Sequence, residues 1–192
     1  MTDNFLHFPI PIFCIFAVSK SQKTMNARVS IIMGSTSDLP VMEAAFKFLE
    51  SNEIPFEVKA LSAHRTPDEV AEYAKSAHTR GIEVIIAGAG MAAHLPGVIA
   101  AMTPLPVIGV PIKSSLEGVD AALAMLQMPP GIPVATVAIN GAQNAAILAL
   151  QIMVNGDPVL RDKVVAHKQN LKQKIVKAND DLANISDYKF KV

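Results

Sequence analysis

Five short apolar runs, each parted from the next by a stretch of helical periodicity, limit what this chain can fold into more than any other feature of it. "RVSIIM", "FEVKAL", "EVIIAG", "LPVIGV" and "IPVATVAI" succeed one another from Arg28 onward. They read as strands apolar on both faces, the pattern of parallel strands covered by helices. Between the first two, "LPVMEAAFKFLESNE" repeats Val41, Ala44, Ala45, Phe48 and Leu49 at helical spacing, which makes the first unit β-α-β. A second helix is expected from Pro67 to about Arg80, with Gly81 as its C-cap, and further helices after each later strand.

The expected fold class is therefore α/β: a three-layer α/β/α sandwich, flavodoxin-like, with a doubly wound five-stranded parallel sheet and a C-terminal helical extension. A chain of 192 residues that is 51% apolar suffices for one sizeable core. The α/β domain is placed at residues 26–157. Residues 158–192 are expected to form a polar helix with Leu160, Val164, Leu171, Ile175 and Leu182 along one side, a stripe that packs on the molecule's own sheet layer or, the sharper reading, on a neighbouring subunit. Residues 1–25 are set apart as an extension, expected to be disordered or a non-native start with Met25 as the true one. Their run "FLHFPIPIFCIFAV" is broken by Pro9 and Pro11, follows Asp3 without a Lys or Arg, and is shorter than the roughly 20 residues that span a bilayer. A targeting segment is the rival reading, and no membrane partner is expected.

Seventeen basic and seventeen acidic residues cancel, so the basic excess that supplies nucleic-acid affinity is missing. Cys14, the single cysteine, cannot close an internal disulfide or build a cysteine zinc site, which points to the cytoplasm. No two of the five histidines stand at metal-ligand spacing on one helix, so a metal site is not indicated.

In an open α/β sheet ligands gather outside the carboxyl ends of the strands. The loops delivered there are "GSTSD", "SAHRTP", "GAGMAAHLPG" and "PIKSSLEG". Thr66-Pro67-Asp68-Glu69 has the form of a capping box with proline at the first helical position, so His64 and Arg65 stand just ahead of a helix N-terminus. The amides and dipole there receive an anion, and Arg65 adds a planar fork for phosphate. The plainer alternative is an Arg65 ion pair and a His64 that fills a turn. Ser35 and Ser37 offer hydroxyls for phosphate or sugar, although capping by Ser37 or Asp38 would explain the same residues. No Walker sequence is present. Gly88-Ala89-Gly90-Met91-Ala92-Ala93 fits a dinucleotide fingerprint formally, but it follows the third strand and has no acidic residue about 20 positions on, so its small residues are read as room for a ligand beside the backbone. His94 fits either a pocket or a helix start; His7, His78 and His167 are unremarkable.

Taken together and in this order, "GSTSD", "SAHRTP", "GAGMAAHLPG" and "QMPPGIPVATVAI" resemble the PurE family, the bacterial-type (class I) N5-carboxyaminoimidazole ribonucleotide mutases of purine biosynthesis, over roughly Val29 to Asp157. The resemblance implies an isomerase with a small-molecule ribonucleotide substrate, no cofactor, and a homo-octamer whose C-terminal helix reaches onto a neighbour. It also implies transfer of substrate from an ATP-dependent synthetase. Position by position it assigns the 5′-phosphate to Ser35, Ser62 and Arg65 with the backbone near Ala63, and the ribose to Asp38. The same resemblance implies that Ser37 lies near the imidazole, that His64 is the general acid and base, and that Ala89, Gly90, His94 and Leu95 form the pocket that retains carbon dioxide.

Met91 departs from the family, standing where many members have a third glycine; its side chain is expected to point away. "KSSLEG" and "INGAQN" are shorter than in some members, which bears on pocket closure and on Asn144. Arg65-Thr66-Pro67 favours the mutase over the animal-type direct carboxylase, which usually carries Lys-Gly-Pro there. That carboxylase, and a non-catalytic phosphosugar- or flavin-mononucleotide-binding module, are the alternatives.

Overall fold

The computed structural model describes residues 26–189, so the expectations for residues 1–25, and for the last three residues of the C-terminal extension, lie outside the described residues. Five strands, β1 (Val29–Met33), β2 (Phe56–Ala60), β3 (Val84–Gly90), β4 (Val107–Ile112) and β5 (Ala135–Thr136), form one parallel sheet in the order β2-β1-β3-β4-β5. Helices α1 (Leu39–Ser51), α5 (Ala142–Met153) and the start of α6 (Pro158–Ala183) cover one face. Helices α2 (Pro67–Ser76), α3 (Leu95–Ala100) and α4 (Val119–Leu126) cover the other. Right-handed crossovers on both faces require this order to reverse between β1 and β3, and the reversal leaves a crevice at their carboxyl ends.

The expected apolar runs hold in the middle of the sheet and weaken at its edges. Every residue of β1 and β4 is buried, as are the first six of β3. β2 is an edge strand, half-buried to exposed, and its Glu57 and Lys59 correct the expectation of two apolar faces. "IPVATVAI" contributes only Ala135–Thr136 as strand, because Pro133 has no amide to give the ladder. Beyond it the backbone still follows β4, through Val137 N to Gly109 O (3.0 Å) and Asn140 N to Pro111 O (2.8 Å).

One polar residue lies inside β1. Ser30 Oγ donates to Glu57 Oε1 (2.8 Å) and accepts from the Tyr73 hydroxyl of α2, so burial leaves it no unmet bond. Arg80 closes the group, with Nη2 2.9 Å from Glu57 and its guanidinium 5.1 Å from the Tyr73 ring centre. Burial is the main reason the Tyr73 hydroxyl is pushed up to about 12. The second helix ends at Ser76 and tightens into a 3-10 turn, Ala77–Arg80, before Gly81 takes the left-handed conformation (φ 88°) that stops it.

α6 begins on Asp157, whose carboxylate accepts from Leu160 N (3.2 Å). Leu160 is buried and Val164 packs on the core. Farther along the stripe Leu171, Ile175 and Leu182 are 49%, 72% and 56% exposed, so the chain's own sheet covers only the base of this helix.

Candidate active site

A cleft of about 500 Å³ opens at the carboxyl ends of β1, β2, β3 and β4. Each expected site residue except His94 lines it, and His94 stands directly behind His64. Gly34, Met91, Ala92 and Ser114 also line it and were not among the expected residues.

After β2 the chain makes a tight turn that sets His64 and Arg65. The expected capping box is not formed: Thr66 is the N-cap of α2, but its side chain makes no bond to the helix. Instead Thr66 Oγ1 accepts from Ser62 N (2.9 Å) and donates to Ser62 O (3.1 Å), stapling residues 62 to 66 into one loop. With Pro67 supplying a preset φ, the helix starts without the hydroxyl, which is spent on shaping the turn. Ser62 Oγ in turn accepts from Arg65 N and Arg65 Nε, both at 3.3 Å. Arg65 Nη2 crosses to the β1 loop and donates to Gly34 O (2.7 Å). Neutral acceptors thus orient the guanidinium, and among the described residues it forms no ion pair.

After β1, Ser35 caps a 3-10 turn, Thr36–Asp38, by accepting from Ser37 N (3.3 Å). Asp38 is then the N-cap of α1, and its carboxylate does not bond to that helix. It is 9% exposed, and burial raises its pKa above the usual carboxylate value, against the pull of the Ser35 amide, the Ser37 hydroxyl and the Arg65 charge. A carboxylate kept in such a place and left free of its helix is a ready acceptor for ligand hydroxyls.

The small residues at the end of β3 divide their work. A Cβ on Gly88 would stand 2.6 Å from Met42 Sδ, so this glycine makes room for α1, not for a ligand as its motif suggested. A Cβ on Gly90 would stand 3.1 Å from Ile112 O, on the cleft side of β4. Met91 holds φ at +56°, the region where a glycine carries no steric cost, and its side chain is 58% exposed. The His64 and His94 rings meet edge to face with centres 5.0 Å apart, and His64 Nε2 lies 2.9 Å from His94 Nδ1. One of these nitrogens must donate and the other accept, so a proton sits between them.

The doubly wound sheet, with an anion-receptive cleft of Ser, Arg, Asp and His side chains at its switch point, defines a small-molecule α/β enzyme. The chain belongs to the AIR carboxylase family, whose model matches residues 28–174. It is 59% identical over 147 residues to an N5-carboxyaminoimidazole ribonucleotide mutase of Pyrococcus abyssi, covering 76% of this chain and 84% of that protein. It is 57% identical over 140 residues to a phosphoribosylaminoimidazole carboxylase of Candida glabrata, covering 72% of this chain and 25% of that longer protein. A crystal structure of Treponema denticola PurE superposes with a TM-score of 0.74 at 30% identity, covering 80% of this chain and 97% of that one.

Proposed function

We propose that the protein is an N5-carboxyaminoimidazole ribonucleotide mutase, an isomerase of purine biosynthesis that moves a carboxyl group from a nitrogen substituent to C4 of the same imidazole. The observation that carries this reading is the adjacent pair His64 and Arg65 on one cleft, the first beside a proton-sharing partner and the second with its guanidinium free of carboxylates. Relatives matched over most of their own length support it. Arg65, Ser62 and Ser35, with the backbone at Ala63, hold the 5′-phosphate, and Asp38 accepts from the ribose hydroxyls, with Ser37 toward the ring.

His64 then serves as acid and base in turn. As the N–C bond breaks, its electron pair returns to nitrogen, carbon dioxide is freed, and C4 takes a proton from protonated His64. As C4 attacks the retained carbon dioxide, neutral His64 removes one C4 proton; it then passes that proton to the exocyclic nitrogen and takes the remaining C4 proton, so that the amine is restored and the ring recovers its aromaticity. Ala89, Gly90 and Leu95 bound the place where carbon dioxide waits, and His94, outside the cleft lining, holds the His64 ring in position through its hydrogen bond.

The same reading makes the protein a homo-octamer in which the exposed Leu171, Ile175 and Leu182 of α6 lie on a neighbour, a cytoplasmic enzyme that receives its substrate from an ATP-dependent synthetase. No helix among the described residues is long and apolar enough to cross a membrane.

The 57% identity to a named carboxylase favours a second reading, direct carboxylation of aminoimidazole ribonucleotide. Purified protein should isomerise the N5-carboxylated substrate in buffer stripped of bicarbonate, followed by absorbance. A requirement for aminoimidazole ribonucleotide plus bicarbonate, with no use of the N5-carboxylated compound, would replace the mutase by the carboxylase.

A further inference from the structure

Four serines border the cleft, and three of them already have a hydroxyl bonded to protein. Ser35 Oγ accepts from Ser37 N, Ser62 Oγ accepts from Arg65, and the Ser37 hydroxyl is drawn to the Asp38 carboxylate. The fourth, Ser114, has no hydrogen bond from its hydroxyl to any of the described residues, yet its place is closely fixed. It follows β4 by two residues, and the β3–β4 register sets Gly90 against Ile112. A Cβ on Gly90 would lie 3.5 Å from Ser114 Cβ, so the bare glycine keeps the approach between them open.

The loop carrying Ser114 is tied to a neighbouring loop and closes on itself. Lys113 N donates to Asn140 Oδ1 (2.9 Å) and Gly118 N to Ser115 O (2.9 Å). Leu116, Glu117 and Gly118 take three successive left-handed conformations, at φ 46°, 57° and 85°, of which only the glycine's is free of steric cost. A serine just past the end of β4, with an unengaged hydroxyl on a ligand cleft, is placed to meet a ligand.

The strand order says which part of the ligand it meets. Arg65 and Ser62 follow β2, His64 stands beside them, Gly90 ends β3 and Ser114 follows β4. Neighbouring strands lie about 4.8 Å apart, so the β2 and β4 loops are separated by roughly 14 Å. A ribonucleotide whose phosphate rests on Arg65 extends its heterocycle toward β3 and β4. The anionic group on that heterocycle is the migrating carboxylate, which needs a hydrogen-bond donor of its own.

We propose that Ser114 is a catalytic residue of this reaction, its hydroxyl donating a hydrogen bond to an oxygen of the migrating carboxyl group. The bond is made to the N-bound carboxylate, to carbon dioxide while it is free, and to the C4 carboxylate afterwards. The proton stays on Ser114 Oγ throughout, and all proton transfer to and from C4 belongs to His64. This assignment rests on the mutase reading above.

Full-length Ser114→Ala and Ser114→Thr are compared with wild type for isomerisation and for the appearance of free aminoimidazole ribonucleotide, the mark of carbon dioxide escaping in mid-reaction. Ser114→Ala should lower kcat roughly 10- to 100-fold. It should leave KM within about threefold, since the phosphate contacts of Arg65 are untouched, and raise the escaped fraction about tenfold; Ser114→Thr, which keeps the hydroxyl, should restore most of both. Wild-type kcat and no added escape in Ser114→Ala would overturn the assignment. So would a fall in kcat that neither leaks carbon dioxide nor recovers in Ser114→Thr, which would make the serine merely structural. Failure of the wild-type protein itself to isomerise the substrate would show as a blank wild-type arm and would remove the mutase reading together with this one.

Discussion

Two arginines at opposite ends of the same sheet show how this fold separates structure from function. Arg28, just before β1, is consumed: Nε meets Glu83 Oε1 at 2.5 Å, Nη2 meets Glu83 Oε2 at 3.3 Å, and Nη1 meets Asp157 at 2.8 Å. Arg65, at the carboxyl end, is oriented by a carbonyl and a hydroxyl and meets no carboxylate at salt-bridge distance. The first arrangement neutralises its charges internally and ties the start of β1, the start of β3 and the start of α6 together. The second fixes the direction of a cation while leaving its charge for something outside the protein. Asp38 repeats the contrast on the acidic side: Asp157 is held below the usual carboxylate range by its bond to Arg28, whereas Asp38 is held above it by burial.

The largest effect expected from this division is at His64. His64→Asn keeps a polar side chain of similar reach but cannot carry the proton, so kcat should fall on the order of 10²- to 10⁴-fold with KM little changed. Its Tm should match wild type, because His64 is an exposed residue of a loop held by Thr66 and Ser62. Turnover by His64→Asn close to the wild-type rate would dissolve the acid/base assignment, whereas a large drop in Tm would show that the carboxyl end is also structural.

Asp38 gives a smaller effect that divides stability from binding in one residue. Its folded pKa is raised, so the native state holds this proton more tightly than the unfolded chain does. The stability linked to it is fully present below the ordinary carboxylate pKa and is lost as pH rises through the folded value, which leaves a penalty at neutral pH. Asp38→Asn removes the buried charge and should raise the Tm of the free protein at pH 7, with the gain shrinking in acid. The same change takes away the anionic acceptor for ribose hydroxyls and should raise KM by about tenfold. Thermal melts at two pH values and a substrate titration check both halves. Loss of Tm at pH 7 in Asp38→Asn would mean that the carboxylate supports the fold.

What the sequence makes legible follows from where each residue sits. β1, β3 and β4 announce themselves because two covered faces demand unbroken apolar runs, and the rule for doubly wound sheets then directs attention to their carboxyl ends. The edges are harder to read. Glu57 and Lys59 mark β2 as partly wet, and Pro133 warns that the last run cannot pair along its whole length. Within the site, the role of Thr66 is misread because a Thr-x-x-Glu spelling does not say whether the hydroxyl will turn toward the helix or back to Ser62. The His64–His94 pair joins loops 30 residues apart that follow β2 and β3, strands separated in the sheet by β1, so no local pattern signals it. Ser114 stands in "KSSLEG" like any loop serine; its nearness to Gly90 comes only from the β3–β4 register. The left-handed position at Met91 is the one signal available in advance, since the residue stands where many family members have a third glycine.

The smallest effect belongs to the amino-terminal end, and there the expected signature is the reverse of His64: lower stability with catalysis intact. Asp157 accepts from Arg28 Nη1 and from Leu160 N at once, so it serves as ion-pair partner and as N-cap of α6. Its folded pKa is lowered, chiefly by the bond from Arg28 and then by the Leu160 amide. A depressed carboxylate contributes stability that is complete above its unfolded pKa and disappears as pH falls through the folded value. Asparagine is itself a good N-cap, so Asp157→Asn removes the charge while retaining the bond to Leu160, and Asp157→Ala removes both. At pH 7 both variants should melt a few degrees below wild type, alanine the lower, and the Asp157→Asn deficit should close in strong acid, where the wild-type carboxylate is itself protonated. The alanine deficit should persist there in part, since its missing cap does not depend on ionisation alone. Their kcat and KM should equal those of wild type, because nothing in the Arg28 cluster borders the cleft. A fall in kcat in Asp157→Asn at unchanged Tm would mean that charge at the amino-terminal end reaches the site, and the two arginines would then no longer mark separate functions.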